Sequence, residues 1–134
     1  MQTLSLIEKA LADKKEVYLP KVSTASNQIE VFQISDANQD LKKGFYGILE
    51  PNQKKSVDPN QIDLFILPGL AFDLKGGRLG RGKGMFDQFL ASLSDRKKAF
   101  IGLAFECQMV SKVPSEKHDI QVFQIITEKR IVKT

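Results

Sequence analysis

The sequence predicts an α/β fold, a three-layer sandwich with a mostly parallel sheet and helices on both faces. Two observations carry this prediction. Ile62, Leu64, Phe65, Ile66 and Leu67 form a nearly continuous apolar run of strand length closed by Pro68-Gly69, the pattern of a central strand buried on both sides of a parallel sheet. Beyond it the chain reads glycine-rich loop, helix, strand, which is the order of a right-handed βαβ crossover. The 134 residues show no linker and no internal repeat, so residues 1–134 are expected to form a single domain.

The elements follow in order. Ser5 with Glu8 makes a capping box, and Leu4, Ile7 and Leu11 recur at helical spacing up to Lys14-Lys15, so a first helix ends there. Val17 to Val22 is a short apolar run stopped by Pro20, and Ile29, Val31 and Phe32 alternate with polar residues; two strands are expected, joined by the loop 23–27. Ser35 suits the N-cap of a short helix through Lys43, with Gly44 just past its end. Tyr46 to Pro51 leads into a polar loop, 52–60, and then into the central strand, 62–67. Phe86, Phe89, Leu90 and Leu93 lie at i, i+3, i+4 and i+7, which gives one helix an apolar face until Ser94-Asp95. Ala99 to Phe105 and Val122 to Thr127 are the remaining buried strands.

The composition is that of an ordinary folded chain, 42 % hydrophobic and 27 % charged, rather than a disordered one. No stretch approaches the roughly 18 consecutive apolar residues of a membrane span, and the start lacks a signal peptide's apolar block, so the expected location is cytoplasmic. A single cysteine, Cys107, excludes an internal disulfide or a multi-cysteine zinc site and reads as a small core residue. The net charge of +4 comes from 20 basic and 16 acidic residues, spread in pairs such as Lys42-Lys43 and Lys54-Lys55. Such pairs are solvated faces and give a nucleic-acid binder only weak support.

Basic residues concentrate in one place, Lys75 to Lys83, where five of the nine glycines fall between positions 76 and 84. Glycine lets backbone amides approach an anion closely, Arg78, Arg81 and Lys83 add charge, and the helix starting near Met85 adds its positive end. A polyphosphate cradle is one reading and a flexible hairpin with solvated cations is the other. Gly77 to Lys83 satisfies the glycine-lysine part of a P-loop, but Gly84 stands where Ser or Thr is needed to hold magnesium, and the three-glycine dinucleotide fingerprint is absent. Asp87 reads equally as a magnesium ligand or as an acid complementing the helix dipole. Asp119, beside His118 in a polar loop, is a surface pair or a site residue, and position alone does not assign it.

The run from Asp63 to Leu90 resembles the hallmark region of the 5-formyltetrahydrofolate cyclo-ligase family. It carries Pro68-Gly69-Leu70-Ala71-Phe72-Asp73 and then Gly77-Arg78-Leu79-Gly80-Arg81-Gly82-Lys83-Gly84-Met85-Phe86-Asp87. Tyr18 to Lys21, Gly47 to Pro51 and Ala104 to Asp119 agree in order, so the resemblance covers nearly the whole chain. It implies that residues 78–86 (Arg78, Leu79, Gly80, Arg81, Gly82, Lys83, Gly84, Met85 and Phe86) wrap the phosphates of ATP. Glu50, Pro51, Phe72 and residues 81–85 would meet the folate, and Asp87 and Asp119 would hold Mg2+. Three departures stand out: Met85-Phe86 in place of Tyr-Tyr, Gln88 where many relatives have Arg, and Phe123 where Asp is frequent. Relatives also open with a basic helix, a strand and a Glu that this chain does not show.

The resemblance implies the chemistry too. ATP phosphorylates the N5-formyl oxygen of 5-formyltetrahydrofolate, N10 attacks the activated carbon, and phosphate leaves to give 5,10-methenyltetrahydrofolate. Such a transfer needs positioning and charge neutralisation more than a nucleophile, which suits Arg78 and Lys83 as the catalytic cations. The expected partners are ATP and 5-formyltetrahydrofolate, with no nucleic acid and no membrane, and the expected state is a monomer. The alternative is a non-catalytic nucleotide- or folate-binding module that keeps the loop without the amino-terminal half of the site.

Overall fold

The computed structural model describes every residue except 45, 46, 53, 94–98 and 118. It is a mixed α/β structure, with ten strands and two α-helices among the described residues. The chain divides into two compact units, Met1–Pro59 and Asn60–Thr134, each described by itself.

In the first unit α1 (Leu4–Ala12) starts at Thr3, which makes no side-chain cap bond, so the expected Ser5 box does not form. The helix closes at Lys14, whose φ is 59°, with Lys14 N–H donating to Leu11 O and Lys15 N–H to Ala10 O. β1 (Val17–Val22) and β2 (Ile29–Ile34) pair antiparallel, Pro20 opposite Val31. Pro20 does not stop β1, because this sheet has only two strands and an edge position tolerates a missing N–H.

The helix expected from Ser35 to Lys43 is absent. Asp36 Oδ1 accepts the N–H groups of Asn38 and Gln39, and Asp40 Oδ2 accepts those of Ser35 and Asp36. These short side chains fold the backbone into a turn in place of a helix. β3 (Leu41–Lys43) then pairs antiparallel with β4 (Leu49–Pro51).

In the second unit the main sheet has the order β10 (Ile131–Lys133), β9 (Gln124–Ile126), β8 (Ala99–Leu103), β5 (Leu64–Leu67). β5, β8 and β9 are parallel and β10 is antiparallel. The apolar run 62–67 therefore does pair in parallel, but β5 ends the sheet instead of occupying its centre. Nor is it buried on both sides: Phe65 and Leu67 are buried, whereas Leu64 and Ile66 are each 48 % exposed. β10 carries no strong apolar pattern and was not anticipated.

Between β5 and β8 come a hairpin of two-residue strands, β6 (Ala71–Phe72) and β7 (Arg78–Leu79), and helix α2 (Met85–Ala91). Of the predicted apolar face, Leu90 and Leu93 are buried, and Phe86 and Phe89 are half-buried. Phe89 meets Phe65 edge-on, with ring centroids 6.1 Å apart, and so docks α2 on the covered face of the sheet. The helix ends at Ala91 with Ser92 as its C-cap, so Leu93 lies just beyond it and the end comes before the expected Ser94-Asp95, residues outside those described. Cys107, expected in the core, is exposed on a short 3-10 turn, Glu106–Gln108.

Candidate functional site

Phe72 anchors the region with no exposed surface at all. A Cβ on Gly69 would come within 2.8 Å of its ring and one on Gly102 within 2.6 Å, so both glycines are there to admit it. The expected pocket-wall residue Phe72 is thus closed in on both sides in this structure. Val110 N–H donates to Phe72 O at 2.8 Å, and Gln108 Nε2 donates to Gly69 O at 2.8 Å. The segment after β8 is thereby fastened to the turn after β5.

Asp73 follows, 6 % exposed. Its Oδ1 accepts the backbone N–H groups of Lys75 and Gly77, and its Oδ2 that of Val113, all at 2.9 Å. Burial pushes the carboxyl pKa up, but the three N–H donors and the nearby Lys75 charge outweigh it and hold the group below the usual carboxylate value. An aspartate two and four residues before the N–H groups it binds is a turn signal readable in sequence. The long reach to Val113 is not.

Arg78 extends from β7 with its side chain 2 % exposed, against 25 % for Asp87. Nη2 donates to Asp87 Oδ1 at 2.9 Å and Nη1 to Pro68 O at 3.2 Å, and the guanidinium lies 6.0 Å from the centroid of the Phe86 ring. Nε is buried with no hydrogen-bond partner. Asp87, in the first turn of α2, is thus an ion-pair partner in this structure.

A cavity of about 460 Å³ opens beside Arg78. Gly77 and Arg78 form one part of the lining, Leu90, Leu93 and Phe100 an apolar part, and residues 115–117 and 119–121 with Phe123 the remaining wall. Phe123 stacks on Phe100, centroids 6.1 Å apart at 29°, which puts an aromatic face on the cavity lining. Asp119 belongs to that remaining wall and its Oδ2 accepts Glu116 N–H at 2.8 Å.

The structure therefore brings Arg78, Asp87 and Asp119 to one region, Asp87 through the ion pair and Asp119 as part of the cavity lining. Arg81, Gly82, Lys83 and Gly84 are exposed and do not line it, Leu79 is exposed on β7, and Gly80, Met85 and Phe86 are half-buried. Glu50 and Pro51 lie on β4 of the other unit. Residues that sequence reasoning left without a role are Asp73, Gln108 and Phe100. His118 lies outside the described residues. Among those described, no three His, Cys, Asp or Glu converge on one point, and no helix is long and apolar enough to cross a membrane.

Comparison with known proteins bears on the same residues. Residues 1–128 match the model of the 5-formyltetrahydrofolate cyclo-ligase family. The chain is 32 % identical over 128 residues to the 5-formyltetrahydrofolate cyclo-ligase of Haemophilus influenzae, covering 94 % of this chain and 68 % of that one. Against the Escherichia coli K12 enzyme of the same name it is 32 % identical over 133 residues, covering 98 % and 73 %. Among solved structures, the Aquifex aeolicus 5,10-methenyltetrahydrofolate synthetase superposes with a TM-score of 0.81 at 33 % identity, covering 99 % of this chain and 65 % of that one. The chain thus spans about two thirds of the length of these relatives. A match over 128 of 134 residues, repeated in curated sequences and in a solved fold, establishes that this chain belongs to the 5-formyltetrahydrofolate cyclo-ligase family.

Proposed function

We propose that this chain converts 5-formyltetrahydrofolate to 5,10-methenyltetrahydrofolate, with ATP and Mg2+ required and ADP and phosphate released. The observation that carries the reading is Arg78, a buried guanidinium at the cavity wall whose Nε has no partner. Leaving a buried donor unmet is costly, and groups left so in a folded protein commonly serve a ligand. A turn of the Arg78 side chain toward the cavity would let a nucleotide phosphate oxygen meet that donor, which it suits in both charge and hydrogen-bonding sense.

The roles follow from position. Arg78 acts from the buried side, and Arg81 and Lys83 act from the exposed side of residues 78–86 (Arg78 to Phe86), neutralising charge on the phosphoryl group during transfer to the formyl oxygen. Asp87 and Asp119 are oxygen donors of the kind that hold magnesium together with phosphate and water, and the metal supplies further neutralisation of the phosphates. Glu50, Pro51 and residues 81–85 take the folate. The reading includes the finer expectations of a three-layer sandwich around a mostly parallel sheet, a single functional domain, a monomer, small-molecule partners only and a cytoplasmic location.

The test is turnover of 5-formyltetrahydrofolate followed by formation of the methenyl product, run beside an ATP-binding titration with and without magnesium. Product formation that needs both ATP and magnesium is expected. Binding of ATP without any turnover would instead favour the non-catalytic module.

A further inference from the structure

Residues 113–122, which carry Asp119, leave the hairpin turn 73–77 and come back to it. At the start, Val113 N–H donates to Asp73 Oδ2 at 2.9 Å. At the end, Val122 N–H donates to Gly76 O at 3.0 Å, and a Cβ on Gly76 would collide with Val122 O. Val113 and Val122 are both buried, while residues 115–117 between them are exposed. The same Asp73 carboxylate, through Oδ1, holds the N–H groups of Lys75 and Gly77 immediately before Arg78.

We propose that Asp73 is a positioning residue that sets the Arg78 wall and the Asp119 wall of the cavity in register, so that both meet one bound nucleotide. One side chain reaches both walls, and Val113 itself is held to the turn by that carboxylate, beyond the backbone bond of Val110 to Phe72. An ionised carboxylate is the group suited to this, because it accepts on both oxygens. Asparagine has one acceptor only; its amide NH2 must face either Val113 N–H or the turn donors, so one of the two attachments is lost. The inference rests on the proposed nucleotide and magnesium function of this cavity.

The experiment is a double-mutant cycle on ATP binding to the full chain, by calorimetry with and without magnesium, using Asp73→Asn, Asp119→Ala and the pair. Asp119→Ala should remove the magnesium-dependent part of the affinity. Asp73→Asn should lower the same part by about tenfold, the scale of one charged hydrogen bond, and lower metal-free ATP binding, which reads the Arg78 side alone, by less. Asp73→Asn added to Asp119→Ala should then have no further effect on the magnesium-dependent part, since coupled residues are non-additive. A purely structural Asp73 lowers Tm without touching the magnesium dependence, and that result overturns the proposal. If Asp119→Ala itself leaves the magnesium dependence intact, the metal reading of the site fails first, which separates the two failures. Hydrogen exchange on the unsubstituted chain needs no variant: the amides of Lys75, Gly77 and Val113 should open together and slow together on adding ATP with magnesium. Independent exchange of Val113 overturns the proposal even where Asp73→Asn does not fold.

Discussion

The two halves of the glycine-rich segment read alike in sequence and differ in structure. Gly76, Gly77 and Arg78 are all buried, tied to Asp73, Asp87 and Val122. Arg81, Gly82, Lys83 and Gly84 are all exposed, and at Gly82, with φ 88°, an added Cβ would meet nothing within 4 Å. The glycines of the first half permit close packing, whereas those of the second leave amides and cations facing solvent. Glycine among basic residues therefore marks a ligand loop only where the charges are not already paired within the fold.

The sharpest way to break this contrast is in the buried half. Asp73→Ala strips three N–H groups of their acceptor and should cost about 3–5 kcal/mol in denaturant unfolding; a cost under about 1 kcal/mol would make the first half as free as the second. The acid dependence has a definite sign. Because the folded carboxyl is held below its unfolded value, its stabilisation is complete above the unfolded pKa of about 3.9 and is lost as pH falls through the folded value. The stability gap between wild type and Asp73→Asn should be flat above about pH 5 and shrink below about pH 4.

Next in size is Gly102→Ala, which drives a methyl into the Phe72 ring and should cost about 1–3 kcal/mol by overpacking, read as a drop in Tm. In the exposed half, Gly82→Ala has free space but a left-handed backbone, so only conformational strain of about 1 kcal/mol is expected. An effect at Gly82 as large as that at Gly102 would erase the distinction between the halves.

The parallel pairing of β5 and β8, the helix between them and the glycine loop were legible because each depends on local pattern: a strand-length apolar run, a 3.6-residue period, and clustered glycines. The centrality of β5 was not, because a continuous apolar run reads the same at the end of a sheet as in its middle. The helix expected after Ser35 gives way to a turn closed by Asp36 and Asp40, whose carboxylates bond nearby backbone N–H groups, and short acidic side chains of this kind suit a turn as well as a helix start. At the site, Arg78 and Asp87 stood out from the glycine loop and the helix start, while Asp119 was assigned only through the family resemblance. The Arg78–Asp87 pair and the span from Asp73 to Val113 rest on contacts 9 and 40 residues apart, and a contact of the longer kind has no sequence period to announce it. The enclosure of Phe72 was not legible for a related reason, since the glycines that enclose it lie at positions 69 and 102.

The central claim is that the cations of the exposed half meet the phosphates, with Arg78 acting from the buried half that holds the fold, and Lys83→Ala tests it most directly. ATP titration with and without magnesium, alongside a melting curve, is the measurement. The account predicts a stability change within about 0.5 kcal/mol and a loss of ATP affinity of about 1.5–3 kcal/mol, roughly tenfold to a hundredfold, under both metal conditions. Unchanged ATP affinity in a chain that otherwise binds ATP would contradict it.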